Sequence, residues 1–269
     1  MGPVPGPREE QFGLGGAVAV VTGASSGLGR RFALDMAARG AVVVGLARRA
    51  DLLEDLAREL HRSSPSSSVR VCDVADTDAF VAALAEIEAG HGRIDVLVNN
   101  AGTGQPHGEG EPGLADHRRV MATNYFAPVA GTLAVLPGMR ARGRGVVVNV
   151  SSDSGRAPSP HEAAYSASKA ALSAFTESLS YDVEGSGVHL HVLYPAWVAT
   201  AMGTEAVERG MPMPPPMVRR TEAQVSELLL ARMGGRRVDI DAAPVARLAP
   251  VGRALFPGAY RRALKKTAG

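Results

Sequence analysis

The chain predicts a doubly wound α/β fold, a parallel sheet of about seven strands with helices on both faces in three layers. Three observations carry this. Short β-rich runs alternate with helical patterns from residue 17 to about residue 240. Most of those runs are apolar almost without interruption, as strands are when both faces of a parallel sheet are covered. The first run ends in a Gly-rich turn that opens directly into a helical pattern.

The strands are expected at residues 17–21, 41–46, 69–72, 94–98, 146–150 and 188–193, with a last one at 236–240. Segments at 29–39, 50–62, 76–90, 114–141 and 163–184 are long enough for the crossover helices, which are right-handed in such sheets. Residues 1–16 hold three prolines and five glycines without an apolar period and read as a flexible leader. A single domain then covers 17–241, with a lid at about 201–220, and 242–269 form a basic extension. Pro250 and Pro257 interrupt that extension, so it cannot be one straight helix.

With 269 residues, 45% hydrophobic and 21% charged, the chain can bury a full core without disulfides, and disorder is excluded as its main state. Cys72 is the single cysteine, which rules out an internal disulfide and any cysteine-based zinc site. No apolar run reaches the roughly 18–20 residues of a membrane helix, and no basic-then-apolar leader is visible, so a cytoplasmic protein is expected. The net charge of +2 hides an asymmetry. Residues 232–269 carry nine Lys or Arg against Asp239 and Asp241, a net of +7. That end is either a solvated helix face or a weak contact for an anionic membrane surface. No nucleic-acid partner is expected.

The Gly-rich turn reads Thr22-Gly23-Ala24-Ser25-Ser26-Gly27-Leu28-Gly29. Glycine permits the tight turn and close approach of backbone to a pyrophosphate, and the N–H groups at the helix start attract phosphate. Further motifs follow in order. Asn99-Asn100-Ala101-Gly102 follows the fourth strand and Asn124 lies in the next helix. Ser152 follows the fifth strand, Tyr165-Ser166-Ala167-Ser168-Lys169 comes thirteen residues later, and Pro195 closes the sixth strand.

In this ordered set, over about residues 17–200, the chain resembles the short-chain dehydrogenase/reductase family. The resemblance implies a Rossmann-type fold and a nicotinamide cofactor over the carboxyl ends of the strands. It places Gly23, Ser25, Ser26, Gly27, Leu28 and Gly29 at the phosphates and Asp73, with Val74, at the adenine. It places Asn100, Ala101 and Gly102 under the ribose and phosphates, and Pro195, Val198 and Thr200 at the carboxamide. Ala196 stands where the family usually has glycine. The end of the second strand decides between the two nicotinamide cofactors. An acidic residue there serves NAD, whereas this chain has Ala47, Arg48 and Arg49. A guanidinium matches a 2′-phosphate, so NADP(H) is expected, mainly through Arg48.

Tyr165 and Lys169 are four apart, on one face of a helix. A free tyrosine titrates near ~10, and a neighbouring ammonium is expected to lower that value. By resemblance Tyr165 is the general acid/base, Lys169 also holds the nicotinamide ribose, and Ser152 stabilises charge on the substrate oxygen. Asn124 anchors a relay water by resemblance; a polar residue capping or kinking its helix is the open alternative. His161, Trp197 and Met202 join Ser152 and Tyr165 as candidate substrate contacts, each with a plain surface or core role as its alternative.

Met202, Met211, Met213 and Met217 stand among the prolines of the lid. Methionine adapts to irregular apolar shapes, which points to an apolar or bulky carbonyl or alcohol. No metal site is expected, and His189 and His191 read as structural. By resemblance the chain pairs as a homodimer through helices 114–141 and 163–184. The C-terminal end departs from the commonest tetrameric members, which leaves a tetramer open. The readings outside enzymology are an NADP(H)-binding regulator and a membrane-peripheral protein on the same fold.

Overall fold

The structure is a computed structural model that describes residues 12–104, 113–158, 160–208 and 213–267. The first eleven residues of the expected leader, and Met211 and Pro212 of the lid, lie outside the described residues.

The first half alternates β1 (Val18–Thr22), α1 (Gly27–Ala38), β2 (Val42–Ala47), α2 (Ala50–Ser63), β3 (Ser68–Val71), α3 (Thr77–His91) and β4 (Val96–Asn99). Then come α4 (Leu114–Met121), one π-helical turn (Ala122–Phe126), α5 (Ala127–Arg142), β5 (Gly145–Val150), the four-residue α6 (Asp153–Arg156), α7 (Ala163–Asp182) and β6 (Val188–Tyr194). The lid region holds β7 (Trp197–Val198), α8 (Ala201–Glu208) and β8 (Arg219–Arg220). The chain ends in α9 (Glu222–Arg232), β9 (Asp239–Asp241), α10 (Leu248–Leu255) and α11 (Pro257–Thr267).

Seven strands form one sheet in the order β3-β2-β1-β4-β5-β6-β9, with every neighbouring pair parallel. This is the doubly wound α/β architecture. The order reverses between β1 and β4, and ligands of such sheets bind beyond the carboxyl ends of the strands at that switch point.

Apolar residues fill both faces. Phe32, Met36, Leu53, Leu56 and Leu229 pack on one side, and Phe80, Leu84, Val135, Met139 and Leu190 on the other. Against the expectation that no run reaches that length, Leu114–Arg142 is long and apolar enough, by length and composition, to cross a membrane. Here it packs into the fold through Val120, Val135, Leu136 and Met139.

Local chemistry sets the helix ends. The Ala79 N–H donates to the Asp76 carboxylate at 3.0 Å and caps α3. Gly143, at φ 61°, ends α5 in the left-handed region. Of the two C-terminal prolines expected to interrupt the extension, only Pro257 does so; Pro250 lies in the first turn of α10, where its missing N–H breaks no helical bond. Pro257 opens α11 at its first position, and Phe256 separates that helix from α10. The expected last strand over 236–240 is three residues long and shifted, at Asp239–Asp241.

Candidate active site

The site is built at the carboxyl ends of β1 to β6. At the end of β1 the Thr22 hydroxyl accepts the N–H groups of Asn100 and Ala101, each at 3.0 Å, and the Asn100 amide donates back to the Thr22 carbonyl at 3.0 Å. The loop after β4 is thereby pinned to the Gly-rich turn. At Gly23 and Gly29 that turn has no room for a side chain. A Cβ on Gly23 would stand 2.9 Å from the Ala101 Cα, and one on Gly29 would stand 2.4 Å from the Gly23 carbonyl oxygen. Ser26 makes no side-chain cap on α1, so its side chain does not occupy the N–H groups of the first turn, the kind of donors that bind phosphate. Gly27 has φ 58° and lies against Thr200, so the turn and the loop after β6 close on one space.

The expected cofactor residues gather around that space. Asp73 follows β3, with its carboxylate 3.8 Å from Arg48 and accepting the Ala75 N–H at 3.1 Å; Val74 beside it is buried. Arg48 is largely exposed. Arg49 instead reaches over the turn and donates to Ser26 Oγ at 2.6 Å and Ser25 Oγ at 3.0 Å. Pro195 leads into β7, where Val198 is buried and its carbonyl accepts the Thr200 N–H at 2.8 Å. Ala196 takes φ 64°, the left-handed conformation that a glycine adopts freely.

Ser152 caps α6, its Oγ accepting the Ser154 N–H at 3.2 Å. Tyr165, on the first turn of α7, stands close enough to the Ser152 side chain for that hydroxyl to act on its titration. Lys169, one turn on, is buried and donates to the Val150 carbonyl at 2.8 Å; its Nζ is 5.7 Å from the centre of the Tyr165 ring. Ser151 points away and bonds to the Lys169 carbonyl and to Ser173.

Burial dominates the titration of this pair. Desolvation pushes the Tyr165 phenol up to about 12, against the lowering effect of the Ser152 hydroxyl. Desolvation also brings Lys169 down to about 8. The expected lowering of the phenol by the ammonium is therefore overturned: Glu162 and Asp153 reinforce the upward shift. At neutral pH the site holds a protonated phenol.

Asn124 is fully buried in the π-helical turn. Its amide is committed: Oδ1 accepts the Thr103 N–H at 2.9 Å, and Nδ2 donates to the Thr103 carbonyl at 2.9 Å and to Ser168 Oγ at 3.1 Å. Gly102 joins this group to Lys169, since a Cβ there would come 3.4 Å from Asn124 Oδ1 and 3.6 Å from Lys169 Nζ. Pro128 has no N–H to offer the Asn124 carbonyl, as an α-helix would require.

The candidate substrate residues are more scattered. Trp197 is half-buried in β7, with an indole N–H that has no partner. Met202 is exposed on α8, and His161 is exposed at φ 61° in the loop before α7. No cluster of metal-ligating side chains occurs among the described residues.

A family model described as short chain dehydrogenase matches residues 17–210. The chain belongs to the short-chain dehydrogenase/reductase family. This family member is 37% identical over 264 residues to dehydrogenase/reductase SDR family member 7B of Bos taurus, a match covering 94% of this chain and 81% of that protein. It is 41% identical to the Mus musculus protein of the same name, over 72% of this chain and 61% of that one. Among solved structures it resembles a Streptomyces avermitilis short-chain dehydrogenase, with TM-score 0.77 and 28% identity, covering 93% and 96% of the two chains. A point variant of the actinorhodin polyketide ketoreductase with NADPH aligns at TM-score 0.77 and 28% identity, covering 87% and 97%. The chain is thus an oxidoreductase of a family that uses NAD(P)(H), and the Gly-rich cradle and the first-turn N–H groups of α1 fit such a cofactor.

Motif reading did not find the supports. Asn99 donates to Asn149 Oδ1 at 2.8 Å, and Asn149 donates to Thr176 at 2.9 Å, a buried ladder that braces β4, β5 and α7 beneath the site. Arg156 braces α6 from the other side. Asn99 and Asn149 are polar residues inside otherwise apolar strands, which was the available signal.

Proposed function

We propose that this enzyme is an NADP(H)-dependent reductase that interconverts a carbonyl and a secondary alcohol of an apolar or bulky substrate. The observation that carries the reading is the Ser152–Tyr165–Lys169 group standing beside a phosphate cradle. The bound cofactor supplies the hydride. The Gly23–Gly29 turn holds its phosphates, and the nearby guanidiniums of Arg49 and Arg48 favour an added 2′-phosphate. Ser152 donates to the substrate oxygen and stabilises charge building on it. Tyr165, protonated at neutral pH, delivers its proton to that oxygen to give the alcohol, and removes it in the reverse direction. Lys169 orients the phenol and the ribose. Asn124 spends its amide on the loop after β4, which leaves its carbonyl to hold a relay water.

The exposed Met202, Met213 and Met217 of the lid support an apolar substrate. Screening NADPH consumption over lipid-like, aryl and small polar ketones tests this, with NADP-driven alcohol oxidation as the reverse assay. A preference for the small polar group would end the substrate reading, and equal kcat/KM with NADH would end the cofactor reading.

Two assembly properties belong to the same proposal. Phe126 and Leu133 on the outer face of the helix pair, and Tyr181 on α7, are exposed and suit a homodimer, to be tested by sedimentation. Leu248, Val251, Leu255 and Phe256 are exposed on an extension with six basic and no acidic residues after Asp241. That combination suits a cytoplasmic enzyme with a weak grip on anionic membranes. Loss of flotation with anionic liposomes on deleting residues 242–269 would support it, and unchanged flotation would refute it.

A further inference from the structure

The four-residue helix α6 carries Ser152 as its cap, and a helix this short does not hold itself in place. Its surroundings must fix it. On one side Gly155 presses on α7: a Cβ there would stand 2.8 Å from the Lys169 carbonyl carbon. In the middle Ser154 donates to Glu162 at 3.0 Å, just ahead of Tyr165. On the far side is Arg156, whose side chain is only 14% exposed.

Arg156 makes three contacts at once. Nη2 donates to the Asp239 carboxylate at 2.5 Å, Nη1 donates to the Asp241 carboxylate, and the guanidinium carbon lies 3.2 Å from the centre of the Tyr194 ring. Tyr194 ends β6, directly before Pro195 and the loop that carries Val198 and Thr200. Asp239 and Asp241 bracket the last strand, and Asp241 is itself 4% exposed and also held by Arg247. The fork geometry of a guanidinium suits this double ion pair and ring contact, whereas an ammonium would make only part of it.

We propose that Arg156 is a positioning residue for the reduction: clamped by Asp239, Asp241 and Tyr194, it fixes α6 so that the Ser152 hydroxyl meets the substrate oxygen. The inference rests on the function proposed above. Displacing a catalytic group by about 1 Å costs on the order of a hundredfold in rate.

The test uses the full chain, with Arg156→Ala and Asp239→Asn variants. In Arg156→Ala, kcat for carbonyl reduction should fall at least about tenfold, with the KM for NADPH within about twofold of wild type. Asp239→Asn keeps the Asp241 pair and should show a smaller loss with the same split, which covers the case of an Arg156 variant that does not fold. Low-millimolar guanidinium, against sodium chloride at equal ionic strength, should restore part of the Arg156→Ala rate and leave wild type unchanged. A merely structural loss would not respond in this way.

Amide exchange supplies a readout free of turnover. Residues 152–157 should exchange faster in Arg156→Ala and slow again with guanidinium, with 163–182 unchanged. If wild type reduces no carbonyl, the function reading fails, and the exchange result alone decides the clamp. Wild-type kcat in Arg156→Ala, or exchange at 152–157 unaffected by the substitution, overturns the proposal.

Discussion

Arg49 donates to Ser26 Oγ at 2.6 Å, which draws its guanidinium across the Gly-rich turn. Arg48, expected from the sequence as the main partner of a 2′-phosphate, leans instead toward Asp73 at 3.8 Å. Arg49→Ala should therefore cost NADPH more than Arg48→Ala does. A charge-assisted bond is worth about 1.5–3 kcal/mol, so kcat/KM with NADPH should fall roughly 10–100-fold. The value with NADH should stay nearly constant. Steady-state kinetics of both variants with both cofactors decide the point; a larger loss in Arg48→Ala would return the role to that residue.

Tyr165 and Lys169 make a direction-dependent pH prediction. With the phenol pushed up to about 12, carbonyl reduction finds its proton donor in place at neutral pH. Lys169, brought down to about 8 by burial, loses its charge above that pH. Reduction should be level through neutrality and decline above pH about 8. Alcohol oxidation needs the phenolate and should climb with pH before the loss of the ammonium limits it. Tyr165→Phe keeps the ring and removes the proton. It should lower kcat by orders of magnitude while NADPH still binds, as fluorescence titration would show.

The sheet and the order of the site were legible because both are local. Apolar runs such as Val18–Thr22 and Gly145–Val150 are buried along their whole length, and Tyr165 and Lys169 are one helical turn apart. Three kinds of feature were not legible. The π-helical turn at Ala122–Phe126 left only Pro128 as a trace in the sequence. The direction of the Tyr165 shift depends on how much water the fold removes, and no spacing encodes that. The Arg156–Asp241 pair spans 85 positions and closes only when β9 docks beside β6. Contacts made by tertiary packing between distant segments carry no periodic signature.

His191 supplies a stability prediction away from the site. Its Nδ1 bonds to the Arg237 carbonyl at 2.8 Å, and its Nε2 accepts the Gly234 N–H at 2.9 Å, so the ring is held neutral. Desolvation brings its pKa from 6.5 down to about 4. The folded state thus binds the proton more weakly than the unfolded chain does. The stability contributed by the neutral ring is fully present above pH about 6.5 and is lost as the pH falls toward 4. Urea unfolding across that range should show the decline, and His191→Leu should flatten it. Removing the ring's acceptor also leaves the Gly234 N–H short of a partner, at about 1–3 kcal/mol at neutral pH.

Ala196 holds φ 64° between Pro195 and Trp197, at the entrance to the loop of Val198 and Thr200. A residue with a Cβ is disfavoured in the left-handed region by roughly 1–2 kcal/mol. Glycine avoids that cost but gives the unfolded chain more freedom, worth about 0.4–1 kcal/mol in the opposite sense. The first effect is the larger. Ala196→Gly should stabilise the protein by about 0.5–1 kcal/mol. Because the native conformation is already the one glycine adopts, the loop keeps its path and kcat/KM should stay near wild type. Chemical denaturation beside kinetics checks both halves; a destabilised Ala196→Gly variant would show that the methyl group's packing outweighs the backbone strain.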